Sequence, residues 1–100
     1  MKVENMTSSR GNKIANQFII TNVLETGVVT IFQSYSTIIA RIWTDPVSAK
    51  NHTQLDRDKW DYSVTTGRYR NQFLGETKKE TQKKIDSGEY SLVDLNKSSE

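Results

Sequence analysis

The 100-residue sequence contains no cysteine, a single proline and a single histidine. Without cysteine there is no disulfide framework, no thiolate metal site and no cysteine nucleophile, which suits a reducing, cytoplasmic setting. His52 alone cannot build a zinc site of the histidine-and-cysteine kind, and it reads as a solvated loop residue. Long apolar runs are also missing: none approaches the roughly 20 residues that cross a bilayer, and the N-terminus has no apolar signal core. The expectation is a soluble, non-secreted protein with no membrane partner. No P-loop, nucleophile motif or glycine-rich dinucleotide turn occurs. Asp56, Asp58 and Asp61 cluster near Trp60, but their spacing lacks the glycine and the terminal glutamate of a calcium loop. They read as carboxylates that solubilise a loop and favour the positive end of the helix that follows. With no catalytic residue, no metal site and no cofactor indicated, a non-enzymatic protein is expected.

What is present describes one small domain. Apolar residues make up 34% and charged residues 26% of the chain, so the core is small, yet nine aromatics and a β-branched first half argue against disorder. Residues 1–12 are polar and read as a flexible segment, 13–96 as a single α+β domain with an exposed loop at 45–55, and 97–100 as a loose tail. Gln17 to Val23 and Val28 to Tyr35 read as a hairpin whose turn, Leu24 to Gly27, ends in glycine. Within the second strand Val29, Ile31, Gln33 and Tyr35 share one face and Val28, Thr30, Phe32 and Ser34 the other, so both sides carry apolar residues. Thr37 to Thr44 fits a short amphipathic helix by spacing and a strand by β-branching, with strand the preferred reading. Asp45-Pro46 breaks what precedes it.

The densest stretch is Lys59 to Gly75. Ser63, Thr65 and Thr66 are candidate N-caps of a helix ending near Leu74, and Tyr62, Thr66, Tyr69 and Phe73 fall on one face that should meet the sheet. Gly75 stops this helix, and Thr77-Lys-Lys-Glu80 is a capping-box pattern that opens another, with Glu80 and Lys84 placed to pair one turn apart. Gly88 closes it, and Tyr90 to Leu95 reads as a final strand. The order β-β-β-α-α-β implies an α+β domain, a small antiparallel sheet with two helices on one face. A partial echo between Ser8 to Phe18 and Thr65 to Phe73 keeps no fixed period and is read as coincidence.

Four stretches together carry a resemblance. They are Ser8 to Ile20 (Ser-Ser-Arg-Gly-Asn-Lys-Ile-Ala-Asn-Gln-Phe-Ile-Ile), Phe32 to Ala40 (Phe-Gln-Ser-Tyr-Ser-Thr-Ile-Ile-Ala), Trp60 to Glu76, and Gly88 to Leu95 after a lysine-rich helix. Over Thr7 to Asn96 the chain resembles a family of short, functionally uncharacterised proteins encoded by bacteriophages and bacterial mobile elements. The resemblance transfers no catalytic residue, cofactor or substrate. It implies a setting, the cytoplasm of a bacterial host cell, and an accessory rather than enzymatic role.

Two functions then compete. Arg68, Arg70, Lys78, Lys79, Lys83 and Lys84 face only Glu76 and Glu80 between positions 68 and 84, and with the neighbouring Trp60, Tyr62 and Tyr69 they suggest nucleic-acid or nucleoprotein binding through a basic helical rim. Ser63, Thr65 and Thr66 with Arg68 and Arg70 suggest an anion pocket at a helix start. The alternative is a protein-binding inhibitor of a host defence factor, which an exposed apolar patch near Trp43 would favour. A small polar domain gains buried area by dimerising, so a homodimer is compatible with either reading.

Overall fold

In the computed structural model, which describes residues 1–97, the chain runs β1 (Lys2–Thr7), β2 (Lys13–Leu24), β3 (Gly27–Ser34), β4 (Thr37–Thr44), β5 (Asn51–Asp56), α1 (Val64–Leu74), α2 (Lys78–Asp86) and β6 (Tyr90–Val93). The six strands form one sheet in sequence order. Neighbours from β1 to β5 pair antiparallel. β6 lies parallel to β5, a pairing that needs a long crossover, which the two helices supply. The sheet is therefore mixed and not purely antiparallel, and the element order is five strands, two helices and a sixth strand. This corrects the expected β-β-β-α-α-β order, although the class remains α+β.

Two strands account for the difference. Lys2–Thr7 lies in the segment expected to be flexible, and Asn51–Asp56 begins inside the expected loop. Both are polar, so neither shows strand periodicity. β1 is an edge whose Lys2 and Glu4 stand exposed, a composition that discourages further pairing. β5 is held by neighbours on both sides, with Thr53, Leu55 and Asp56 buried. Thr37–Thr44 is a strand, the outcome its β-branched content favoured. The loose tail expected over 97–100 lies, from residue 98 onward, outside the described residues.

Turn chemistry sets the meander. Leu24 pairs directly with Gly27, so the β2–β3 turn is the two residues Glu25-Thr26. Gly27 has φ 137, which a side chain would strain, and a Cβ there would stand 2.4 Å from the Thr44 carbonyl oxygen and 2.6 Å from Trp43 Nε1. A bulge between Phe32 and Gln33 puts Ile39 out of step with the ladder, and the consecutive Ile39 and Ala40 are both fully buried. Past β6, the Asn96 side chain accepts from Ile38 N–H at 2.7 Å and donates to Ile38 C=O at 2.8 Å. It imitates a strand neighbour where β5 no longer reaches.

The core lies between the sheet and the helices. Met6, Phe32, Ile39, Ala40, Leu55 and Tyr90 are buried, and Ile14, Ile19, Trp60, Tyr69, Phe73, Leu74 and Ile85 pack against them. Phe73 stacks on Phe32 with ring centroids 5.7 Å apart. Thr66 faces Ser34 across a buried hydroxyl pair at 3.1 Å. Of the four residues expected on the inner face of α1, Tyr62 is the exception: it precedes the N-cap Ser63 and is 46% exposed. Arg70, one turn beyond Thr66, takes an inner position and is buried.

The helix ends follow the sequence. The Ser63 hydroxyl accepts from Thr66 N–H, and Gly75 closes α1 in a left-handed conformation, donating to Asn71 C=O. Thr77 and Glu80 form the capping box of α2, each side chain accepting from the other's backbone N–H.

Candidate functional site

The structure disperses the predicted basic rim. Arg70 lies buried with its guanidinium 5.1 Å from the centre of the Trp60 ring, donating to Trp60 C=O at 2.6 Å, Asn71 Oδ1 at 3.0 Å and Asp61 Oδ1 at 3.3 Å. Lys78 reaches the other oxygen of the same carboxylate, Asp61 Oδ2, at 2.6 Å. Lys84 turns back to Glu76 Oε1 at 2.8 Å, not to Glu80 one turn away. Arg68, Lys79 and Lys83 stay exposed, and among the described residues no carboxylate lies within ion-pair distance of them.

The three hydroxyls of the expected anion pocket also part company. Ser63 is spent on the cap, Thr66 is buried against Ser34, and Thr65 faces solvent. A cleft of about 760 Å³ does open at the start of α1, lined by residues that include Ser63, Arg68, Arg70 and Lys78. Asp61 lines it too, and its negative charge stands where an anion would have to bind. Burial pushes the Asp61 carboxyl up, but hydrogen bonds and charge from Lys78 and Arg70 outweigh it and hold the group below its ordinary value.

The Asp56, Asp58 and Asp61 cluster likewise splits. Asp56 is buried and accepts from Leu95 N–H at 2.9 Å and Asp58 N–H at 3.3 Å. Asp58 is exposed beside Arg57. Among the described residues no group of three or more histidine, cysteine or carboxylate side chains is placed to hold a metal.

A second polar cluster joins α2 to β6. The Glu76 carboxylate, 4% exposed, accepts from Lys84 at 2.8 Å, Thr81 at 2.5 Å and Tyr90 at 2.7 Å. Burial pushes its pKa up, but hydrogen bonds from Lys84, Thr81 and Tyr90 outweigh burial and hold the carboxyl below its ordinary value, so the group stays ionised. The bond to Glu76 raises Lys84. Burial, then Glu76, pushes Tyr90 up to about 12. None of the three is poised as an acid or base near neutral pH, and the cluster acts as a fastening.

Among the described residues, no helix lies on the other face of the sheet. Strand registers place its side chains in three rows: Val3, Ile20, Ile31, Arg41, Gln54 and Ser91; Asn22, Val29, Trp43 and His52; and Asn5, Phe18, Gln33 and Ile38. Phe18, Ile20, Val29, Ile31 and Trp43 are half-buried and belong to no part of the helix-side core. His52 stacks on Trp43 with ring centroids 5.0 Å apart, and Trp43 Nε1 donates to Thr26 C=O at 3.0 Å. Arg41 is held flat by its neighbour, donating from Nε to Gln54 Oε1 at 2.9 Å and from the guanidinium end to the same oxygen. A groove of about 640 Å³ runs here, floored by Val29, Ile31 and Trp43 and bordered by Arg41, His52 and Glu89. The alternation of Val29, Ile31 and Gln33 signalled this face in the sequence. What the sequence lacked was any sign that neither helix packs on it.

Fold and surfaces together define a small α+β domain with helices on one side of its sheet only. The chain belongs to a family of unknown function, DUF8033, which matches residues 1–89. No curated protein and no solved structure matches it. Among the described residues no helix is long and apolar enough to cross a membrane.

Proposed function

We propose that the protein is a non-catalytic binding module that docks another polypeptide on the helix-free face of its sheet. The observation that carries this is the contiguous apolar strip formed by Phe18, Ile20, Val29, Ile31 and Trp43, which lies outside the core cluster and is bordered by polar side chains among which Arg41 and Glu89 are the charged ones. Such a patch is the usual mark of a protein contact. Phosphate binding needs unneutralised cations. The face offers Arg41 alone, already bonded to Gln54, with Glu89 close by. Its chemistry therefore suits a polypeptide better than a nucleic acid. In the phage or mobile-element setting that the resemblance implies, a heterologous occupant would be a host factor whose activity the module modulates.

The nucleic-acid reading retains one supporting observation, the exposed Arg68, Lys79 and Lys83 on the opposite, helical side. One set of variants separates the two readings. Ile31→Lys is expected to abolish protein association, measured on the purified chain and on chain immobilised in host lysate. Replacing Arg68, Lys79 and Lys83 with alanine is expected to leave that association intact. Salt-sensitive DNA or RNA binding lost only in the triple variant, with no protein association in the unmodified chain, would reverse the assignment.

A further inference from the structure

We infer that the polypeptide seated on the helix-free face is a second copy of this chain, the two sheets packing face to face with the helices outward; this rests on the polypeptide-docking reading of the same face. Area is the first ground. The chain exposes 6678 Å² at a mass of 11.5 kDa, whereas the surface-to-mass relation gives roughly 5,800 Å² for a monomer of that mass. The excess, roughly 900 Å² over the whole chain, is the same size as one partner's share of a standard interface, so the chain has surface to give to a contact of that size. It is also the kind of deficit that a small domain with a thin core recovers by association.

Charge is the second ground. A two-fold contact lays a patch on itself, so a face with charge of one sign repels its own copy. The three rows of this face contain one arginine, Arg41, and neither lysine nor carboxylate, while Glu89 stands at the edge of the groove. Self-docking therefore opposes no block of like charge and brings one carboxylate for each arginine. Burying Arg41 is eased because Gln54 already accepts from its guanidinium. A strongly charged partner would find no complement here. The apolar rows of one sheet can interleave with those of another at the ordinary spacing of about 10 Å between packed sheets.

The test is sedimentation equilibrium of the purified full chain over a dilution series from the high-micromolar to the nanomolar range. The expected result is twice the 11.5 kDa monomer mass at the concentrated end. Ile31→Lys and Phe18→Ser, taken from different rows and checked for folding by circular dichroism, should each weaken the dimer about thirtyfold or more, as central interface residues do. Should both variants unfold, the unmodified chain still decides: acrylamide quenching of Trp43 must rise as the dimer dissociates on dilution. A chain that stays monomeric throughout overturns the inference, as does a dimer indifferent to both folded variants or dissociation that leaves Trp43 quenching unchanged. A monomer that holds a host protein sensitive to Ile31→Lys sinks the second-copy inference and leaves the docking reading standing. A monomer with no such partner sinks both.

Discussion

The guanidinium of Arg70 lies over the indole of Trp60, 5.1 Å from its centre, and donates to that residue's own carbonyl oxygen at 2.6 Å. One buried cation thus fixes both the ring and the backbone of the loop that leads into α1, while Asp61 supplies the counter-charge from the partly exposed side. Arg70→Ala would leave the Trp60 carbonyl and the Asp61 carboxylate short of a donor and open a cavity beneath the indole. The expected loss is about 3 kcal/mol, in the range for breaking a buried charged pair. Arg68→Ala, two residues away and exposed, should stay within about 0.5 kcal/mol of the unmodified chain. Urea unfolding of the two variants side by side checks both figures.

Glu76 makes stability depend on pH. Its folded-state carboxyl lies below the ordinary 4.5, as Asp61 lies below 3.8. Each therefore contributes stability that is present above its unfolded value and lost as the pH falls through the folded one. Lys84 and Tyr90 are raised from 10.5 and 10.0, so they favour the fold below those values and withdraw that support as the pH rises beyond. The melting temperature should be flat from about pH 5 to about pH 10 and fall on both sides. Glu76→Gln should lower the plateau and reduce the slope of the acid limb, which thermal melts across pH will read.

Gly27 positions the Trp43 ring from the neighbouring strand. A Cβ at residue 27 would meet Trp43 Nε1 at 2.6 Å and the Thr44 carbonyl oxygen at 2.4 Å, at a φ of 137 that side chains rarely adopt. Gly27→Ala should cost more than about 1 kcal/mol. It should also release Trp43 from its bond to Thr26. Tryptophan fluorescence should shift to the red, an effect that Gly11→Ala, with nothing near its Cβ position, should not produce.

The Thr77 hydroxyl caps α2 by accepting from Glu80 N–H at 3.2 Å. Thr77→Ala should destabilise the chain by about 1 kcal/mol. Hydrogen exchange should quicken first at the N-terminal amides of α2, since the Glu76 cluster still ties that helix to β6.

Local chemistry was legible, and partner choice was not. The capping box at Thr77 and Glu80 and the Gly75 stop each depend on residues within one turn of one another, so the sequence alone locates them, whereas the choice of Ser63 among the candidate caps Ser63, Thr65 and Thr66 came from the structure. Equally local is the alternation expected over Val28 to Tyr35, which divided β3 into its two faces as far as Ser34, while Tyr35 falls in the turn that follows. The pairing of Glu80 with Lys84 followed the same local rule and did not form, because Glu76, near Lys84 only in the folded chain, competes for it. Tyr62 carried an aromatic where an inner position was expected, but the helix begins after it.

Strands β1 and β5 were hidden because their residues are polar and their order comes from neighbours: Met6 and Leu55 are buried by strands and helices distant in sequence. The same holds for the candidate sites. By itself the sequence determined the capping box at Thr77 and Glu80, the Gly75 stop, the hairpin turn and the presence of six cations between positions 68 and 84. Only the tertiary structure decided that Arg70 is a buried fastening, that Lys78 and Lys84 are already paired, and that the face bearing Val29, Ile31 and Trp43 is left without a helix. Hydrogen-bonded caps and turns are written in adjacent residues, whereas burial and charge pairing depend on which distant side chains the sheet brings together.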